Sequence, residues 1–367
     1  MTALIAIFYF FYFAIIAIYV IFMPKVLSIV GYTPSEIGII FAAAPLVRFA
    51  IPFLFLKGLK LDRGTFNGAL ILLLFSTLAL FLTLESFWPL LFTNIAIGIG
   101  LSLILPYVEV IALSTIGKES YGRVRLFGSI GFILVALVLV RFSDTPATAI
   151  SFFLAVVTST VIFGYIIAHK EHRDSPKTQS IEGQHLDLLG HWPLWLGLML
   201  MQVSFGPFYN FFTIYETEHG ISLDTTVYLW SFGVIAEIVL FYFQGPLLRR
   251  NLLTLLEFAV SLTVLRWLLT YLFPENLPAL FFAQSLHAFS FALFHTAAIS
   301  YLYEIYSERK LAQQFFFGVS YGLGGFVGAI SAGYIYEFWP SLLFLYAALI
   351  AFAALLSIRL SAKRPTD

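Results

Sequence analysis

Cysteine is missing from this chain altogether, and charge is scarce: of 367 residues only 11% are Asp, Glu, Lys or Arg. Without a thiol there is no disulfide, no thiolate nucleophile and no Cys-based metal site. A soluble domain carries about 25% charged residues, so this chain has too few to clothe a surface facing water. The 20 basic and 20 acidic residues cancel, which leaves no basic excess to recruit nucleic acid. Also absent are a Walker-type phosphate loop and the HExxH signature, so nucleotide hydrolysis and that metal-dependent hydrolytic chemistry have no foothold. No nucleotide, metal or prosthetic cofactor is expected. What is plentiful is apolar surface: 60% of residues are hydrophobic, with 41 Phe among them. The chain reads as an integral membrane protein.

An apolar run of about 20 residues crosses a bilayer as a helix. Twelve such runs are legible, at approximately 3–24, 35–56, 67–84, 88–113, 124–142, 146–168, 191–215, 225–246, 252–272, 277–303, 314–336 and 340–360. They are too long for the strands of an outer-membrane barrel, which alternate over about ten residues. The first run has no basic segment before it and no small-residue cleavage site after it, so it reads as a retained helix. The fold class expected is all-α, with twelve transmembrane helices.

Lys and Arg orient the spans. With the N-terminus in the cytoplasm, 16 of them fall on the cytoplasmic side and 2, Lys25 and Arg141, on the other, while Arg48 and Arg266 lie inside spans. Both termini are therefore expected in the cytoplasm, the chain crossing the cytoplasmic (inner) membrane many times. One long polar segment, "HKEHRDSPKTQSIEGQHLDLLG" at 169–190, interrupts the pattern on that same side. It divides the protein into residues 1–168 and 191–367, two six-helix bundles joined by a cytoplasmic linker. Its three histidines match no compact ligand set and read as a solvated loop.

A charge at mid-bilayer costs about 2.5–3.5 kcal/mol on insertion scales, so such residues face the bundle interior, pair, or line a wet path. Arg48, Glu109, Glu237 and Arg266 stand well inside spans, with His287 and His295 in the tenth. The two histidines are eight residues apart, about two helical turns, and so share a helix face. Each residue also has a plainer reading. Arg266 and Glu237 could be an ion pair tying two helices together. His295 could be an interhelical hydrogen bond. Glu109 could belong to the cytoplasmic loop network with Lys118 and Arg123. Glycines in "GLGGFVG" (322–328) and "GIG" (98–100) read as close helix packing.

The stretch "PYVEVIALSTIGKESYGRVRLFGSIGF", Pro106 to Phe132, resembles the fourth-to-fifth helix signature of the lactose permease, an oligosaccharide:proton symporter of the major facilitator superfamily. "SEIGIIFAAAP" (35–45), "IAEIV" (235–239), "VLRW" (264–267), "SLHAF" (285–289) and "AGYIYE" (332–337) follow the same family in the same order. The chain is closer still to the phenylpropionate permease branch, with Arg48 in "LVRF", the segment "LWSFGVIAE" (229–237), and two histidines eight apart in the tenth span. The resemblance runs from the first span to the last. It implies the major facilitator fold, with a substrate site near the midplane. It also implies roles: Glu109 and Arg125 pair with each other and bind substrate. Glu237 is a carboxylate shared by substrate and proton, Arg266 an arginine near the proton site, and His287 a histidine of the same network. Three departures qualify this. Ser290 stands where the sugar permease has a protonated carboxylate, "MQVSFGPFYNFF" (201–212) has no acid for its aspartate–lysine pairing, and Phe132 replaces its sugar-stacking tryptophan.

The expected function is secondary active transport, a proton-coupled symport of a small organic solute by a monomer, with Glu237 the first candidate for the proton and Arg266, His287 and His295 around it. The substrate is expected to meet Arg48, Glu109, Arg125, Phe132, Glu237 and His287. Arg48 is an intramembrane cation, and Phe-rich spans can receive a ring, so an aromatic carboxylate is favoured. Oligosaccharide or nucleoside symport, and proton-driven export of amphipathic compounds, are the alternatives. A membrane enzyme or a passive channel finds no catalytic constellation or pore-lining repetition to support it.

Overall fold

The computed structural model describes residues 1–57, 59–142, 145–170 and 186–362, with the backbone alone at 55–56, 118–120, 310 and 362. Most of the linker histidines' segment, 171–185, therefore lies outside the described residues. Among the described residues the regular structure is helical throughout, and eleven helices are long and apolar enough to cross a bilayer. Their positions follow the twelve runs read from the sequence, except in the seventh. There the chain forms two helices of 13 residues each, Trp192–Ser204 and Gly206–Glu218, meeting at Phe205. Pro207 supplies no N–H to the preceding turn, which is what interrupts the ladder. Gly206 lies against the backbone of Gly328, where a Cβ would come within 2.2 Å of its carbonyl oxygen.

The chain forms two compact units. The first comprises residues 1–32 and the described residues from 53 to 170; the second comprises 33–52 and the described residues from 186 onward. Most of the second span, residues 34–52, which the sequence reading assigned to the first bundle, thus clusters with the second unit. Its helix, Pro34–Leu56, opens on a reciprocal cap: Thr33 N–H donates to Glu36 Oε2 at 2.9 Å, and Glu36 N–H to Thr33 Oγ1 at 3.3 Å. Glycines then let it lie on the eleventh span. A Cβ on Gly38 would fall 2.6 Å from the Ala329 carbonyl, and one on Gly333 2.7 Å from the Pro34 carbonyl. The Ser35 N–H donates across this seam to Glu337 Oε2 at 2.9 Å. Hydropathy along the chain does not reveal such a seam, because it depends on where small residues from distant segments meet.

The first span, Thr2–Val30, is the core of the first unit. Phe8, Tyr9, Tyr12 and Ile15 are buried, and a Cβ on Gly131 would lie 2.1 Å from the Phe10 carbonyl, so the fifth span fits against the first only through glycine. Tyr12 donates to the Leu101 carbonyl at 2.9 Å and Tyr19 to Asn94 Oδ1 at 3.0 Å, which satisfies both hydroxyls inside the bundle. A π-helical turn at Ile18–Phe22 precedes Pro24. Proline cannot donate to Val20 and crowds the preceding turn, and the Met23 N–H reaches back to Ile18 instead. Gly31, at φ 108°, ends the helix in the left-handed conformation that suits glycine.

In the second unit two further π-helical segments occur, Ala288–Leu293 in the tenth span and Phe316–Gly324 in the eleventh. Such turns are rare and often accompany functional sites. Both border the polar cluster described next.

Candidate functional site

The first unit brings Glu109 and Arg125 together. Arg125 Nε lies 3.8 Å from Glu109 Oε1, with both side chains about one-third exposed at 30% and 34%. Tyr121 donates to the same carboxylate oxygen at 3.2 Å. The guanidinium rests on the Phe13 ring, 3.7 Å from its centroid, with Tyr9 at 5.3 Å. The charged group is thus held on one side by a carboxylate and on the other by aromatic faces, an arrangement a lysine would not reproduce. Arg123 is exposed, and the Lys118 side chain lies outside the described residues. Phe132 is half-buried on the same helix; the ring that stacks on the guanidinium is Phe13. The aromatic partners Tyr9 and Phe13 sit in the first span among so many similar residues that no sequence signal separates them.

In the second unit Arg266 is fully buried, at 0% exposure. Its Nη1 bonds His287 Nδ1 at 2.9 Å and Ser290 Oγ at 3.1 Å, and its Nη2 bonds Gln284 Oε1 at 2.8 Å. Phe208 and Trp267 cover it at 4.3 and 4.4 Å. Ser290, where the resemblance implied a lost carboxylate, is therefore a partner of Arg266. A guanidinium only donates, so His287 Nδ1 must be the acceptor. The ring's hydrogen is then on Nε2, which faces Glu237 Oε2 at 3.6 Å. His287 thus connects Arg266 to Glu237, the two residues considered as an ion pair from the sequence. Gly233, one turn before Glu237, faces the same helix: a Cβ there would be in ordinary van der Waals contact with the His287 Cβ at 3.4 Å.

His287 and His295 do share a face, with Phe291 stacked between them. Ring centroids are 5.4 Å apart for His287 and Phe291 and 6.3 Å for Phe291 and His295. Yet they serve adjoining networks. His295 Nδ1 lies 2.7 Å from the Tyr321 hydroxyl, and Phe316 and Phe317 flank its ring at 5.6 and 5.7 Å. Tyr321 and Tyr209 are the hub: both phenols lie within electrostatic reach of Glu237 and of Arg48. Arg48 itself is exposed. Sequence reasoning had Arg48, Glu237 and the histidines but missed Tyr209, Gln284 and Tyr321. No residue of these types is unusual in a helix, so only their convergence marks them.

A second omission is Glu216. The sequence reading ended the seventh span at 215 and took Glu237 as the single acid well inside a span of that half. Glu216 is at 0% exposure. On the linker side, His169 Nδ1 is engaged by Arg63 Nη2 at 2.6 Å, and among the described residues no group of three or more His, Cys, Asp or Glu gathers as a metal site would.

Comparison with known proteins gives one family and several relatives. Residues 3–347 match the MFS_1 like family model. The "Probable 3-phenylpropionic acid transporter" of Escherichia coli (strain K12) is 27% identical, covering 96% of this chain and 96% of that protein. The "Maltose permease" of Geobacillus stearothermophilus is 25% identical over 72% of this chain and 69% of its own length. Among solved structures, the nucleoside transporter NupG superposes with a TM-score of 0.81 at 14% identity, covering 99% of each chain. A D-xylose-proton symporter superposes at 0.69 and 12% identity, covering 97% of this chain and 96% of that one.

Proposed function

This chain belongs to the MFS_1 like family of multi-pass membrane transporters, and on that premise we propose that it moves a small organic acid together with a proton, with an aromatic carboxylate of the phenylpropionate kind as substrate. The observation that carries the proposal is the polar chain of the second unit: Arg266, His287 and Glu237 in series, with Tyr209 and Tyr321 in electrostatic reach of both Glu237 and Arg48. A proton arriving at Glu237 removes the charge that faces His287 Nε2. A proton arriving instead at His287 Nδ1 displaces the hydrogen bond from Arg266, since two donors cannot share it. Either event changes the field at the tyrosine hydroxyls and so the affinity for an anion near Arg48. Coupling needs only that this affinity differ between the two states of an alternating-access cycle.

Substrate contacts are proposed at Arg48, Glu109, Arg125, Phe132, Glu237 and His287. The proton site is proposed at Glu237, with Arg266, His287 and His295 tuning it. The moving bodies are proposed to be residues 1–168 and 191–367 joined by 169–190, in a monomer whose termini face the cytoplasm of the inner membrane. The relative described as a probable 3-phenylpropionic acid transporter supports the aromatic acid. The maltose permease supports the sugar reading, which the Glu109–Arg125 pair would also serve by bonding hydroxyls.

Uptake of labelled phenylpropanoate, benzoate, maltose and a nucleoside into proteoliposomes with an imposed pH gradient tests both. Accumulation of an aromatic acid that collapses with the gradient is the expected result. Accumulation of sugar or nucleoside alone would overturn the choice of substrate, and gradient-independent equilibration would overturn the coupling.

A further inference from the structure

The half-helix Gly206–Glu218 carries in its last turn an acid that the proposed cycle does not use, Glu216. Glu216 is fully buried, and both its carboxylate oxygens lack a hydrogen-bond partner among the described residues. Tyr215 and Tyr336 lie within electrostatic reach of it. Tyr215 packs on Phe344 with ring centroids 4.8 Å apart, and Phe211 packs on Tyr336 at 5.2 Å. Polar groups of the half-helix's last turn and of the eleventh and twelfth spans have hydrogen bonds of their own. Tyr336 donates to Glu218 Oε2 at 2.5 Å, His219 Nδ1 meets the Tyr215 carbonyl at 2.8 Å, and Tyr346 donates to Ser331 Oγ at 2.7 Å. Glu337, also on the eleventh span, receives the Ser35 N–H, and Asp224 opens the eighth.

A bare carboxylate so enclosed would lose its hydration with nothing in return. Two occupants could compensate: a proton or a metal cation. A hard cation asks for about six oxygen ligands, and among the described residues no group of three or more His, Cys, Asp or Glu gathers around Glu216. We propose that Glu216 is a proton-binding site of its own, separate from Glu237, holding a neutral carboxyl while this end of the half-helix is shut and releasing the proton when it opens to water. The break at Phe205–Pro207 makes the half-helix a separate element able to open in that way. The inference rests on the transporter reading, because opening belongs to alternating access; it does not depend on Glu237 carrying the coupled proton.

Infrared spectroscopy of the full chain in lipid at neutral pH tests it. The spectrum of the parent minus that of Glu216→Gln should contain the C=O stretch of a protonated carboxyl, shifting down in deuterium oxide. Glu237→Gln should retain that band in full, and Glu216→Asp, which keeps a carboxyl if the amide variant folds poorly, should move it. Carboxylate bands in place of the acid band would overturn the proposal. So would an acid band untouched by both substitutions at 216, or one abolished by adding sodium, which would identify the occupant as a metal cation. The spectrum reads proton occupancy and not transport, so failure of gradient-driven uptake leaves this outcome independent.

Discussion

An arginine offers five donors and no acceptor, and that asymmetry organises the second unit. Because Arg266 takes Gln284, Ser290 and His287 as acceptors, the histidine can turn only its Nε2 hydrogen toward Glu237. Glu237→Gln mimics the protonated acid; exchange of substrate down its own gradient should survive in proteoliposomes while uphill accumulation is lost. Full accumulation in that variant would move the coupled proton to His287. In the first unit, Arg125→Lys should weaken substrate binding by about 1.5–3 kcal/mol, the worth of a charge-assisted hydrogen bond, because a point charge loses both the fork and the stacking on Phe13. Normal binding by calorimetry would leave Glu109 and Arg125 a purely structural pair. Arg48→Gln should cost an acid ligand a similar amount and leave the matching amide nearly unaffected. Equal losses for the two would remove Arg48 from the anion site.

At the scale of elements, glycine decides which helices can meet. A Cβ on Gly131 would sit 2.1 Å from the Phe10 carbonyl, well inside van der Waals contact, so one of the two backbones would have to shift. Gly131→Val should therefore destabilise the protein by at least the 1–3 kcal/mol typical of roughly one overpacked core position, read as a lower thermal midpoint in detergent. Gly122→Ala, on the same helix with open space around it, should be tolerated. An unchanged midpoint for Gly131→Val would mean that the first and fifth spans pack less closely than described. The elements themselves were legible because long apolar runs admit one structure in lipid, where every backbone group must bond within its own helix. The break at Phe205 was legible in principle from Gly206–Pro207. The π-helical turns at Ala288–Leu293 and Phe316–Gly324 carry no proline and gave no comparable sign.

For the whole molecule, the distribution of Lys and Arg remains the argument for orientation. Cysteines introduced singly into this cysteine-free chain, within 169–190 and near either terminus, should react with a membrane-impermeant maleimide in inverted vesicles and be protected in intact cells. Labelling of the central segment from outside would reverse the assignment of every span. The absence of native cysteine makes the measurement free of background.

Composition and run length alone determined that this protein is helical, membrane-embedded and multi-pass, since the cost of an unpaired backbone group in hydrocarbon leaves little choice. The intramembrane charges were equally visible, because each is too expensive there to be incidental. Their partners were not. Whether Glu109 meets Arg125 or a loop lysine, whether Arg266 reaches Glu237 directly or through His287, and whether Glu216 is wet or sealed are questions of a few ångströms across separate helices. Periodicity fixes which face a residue occupies on its own helix, but not which residues from other helices stand opposite. That was decided by small residues such as Gly38, Gly131 and Gly333, whose missing side chains set where backbones touch.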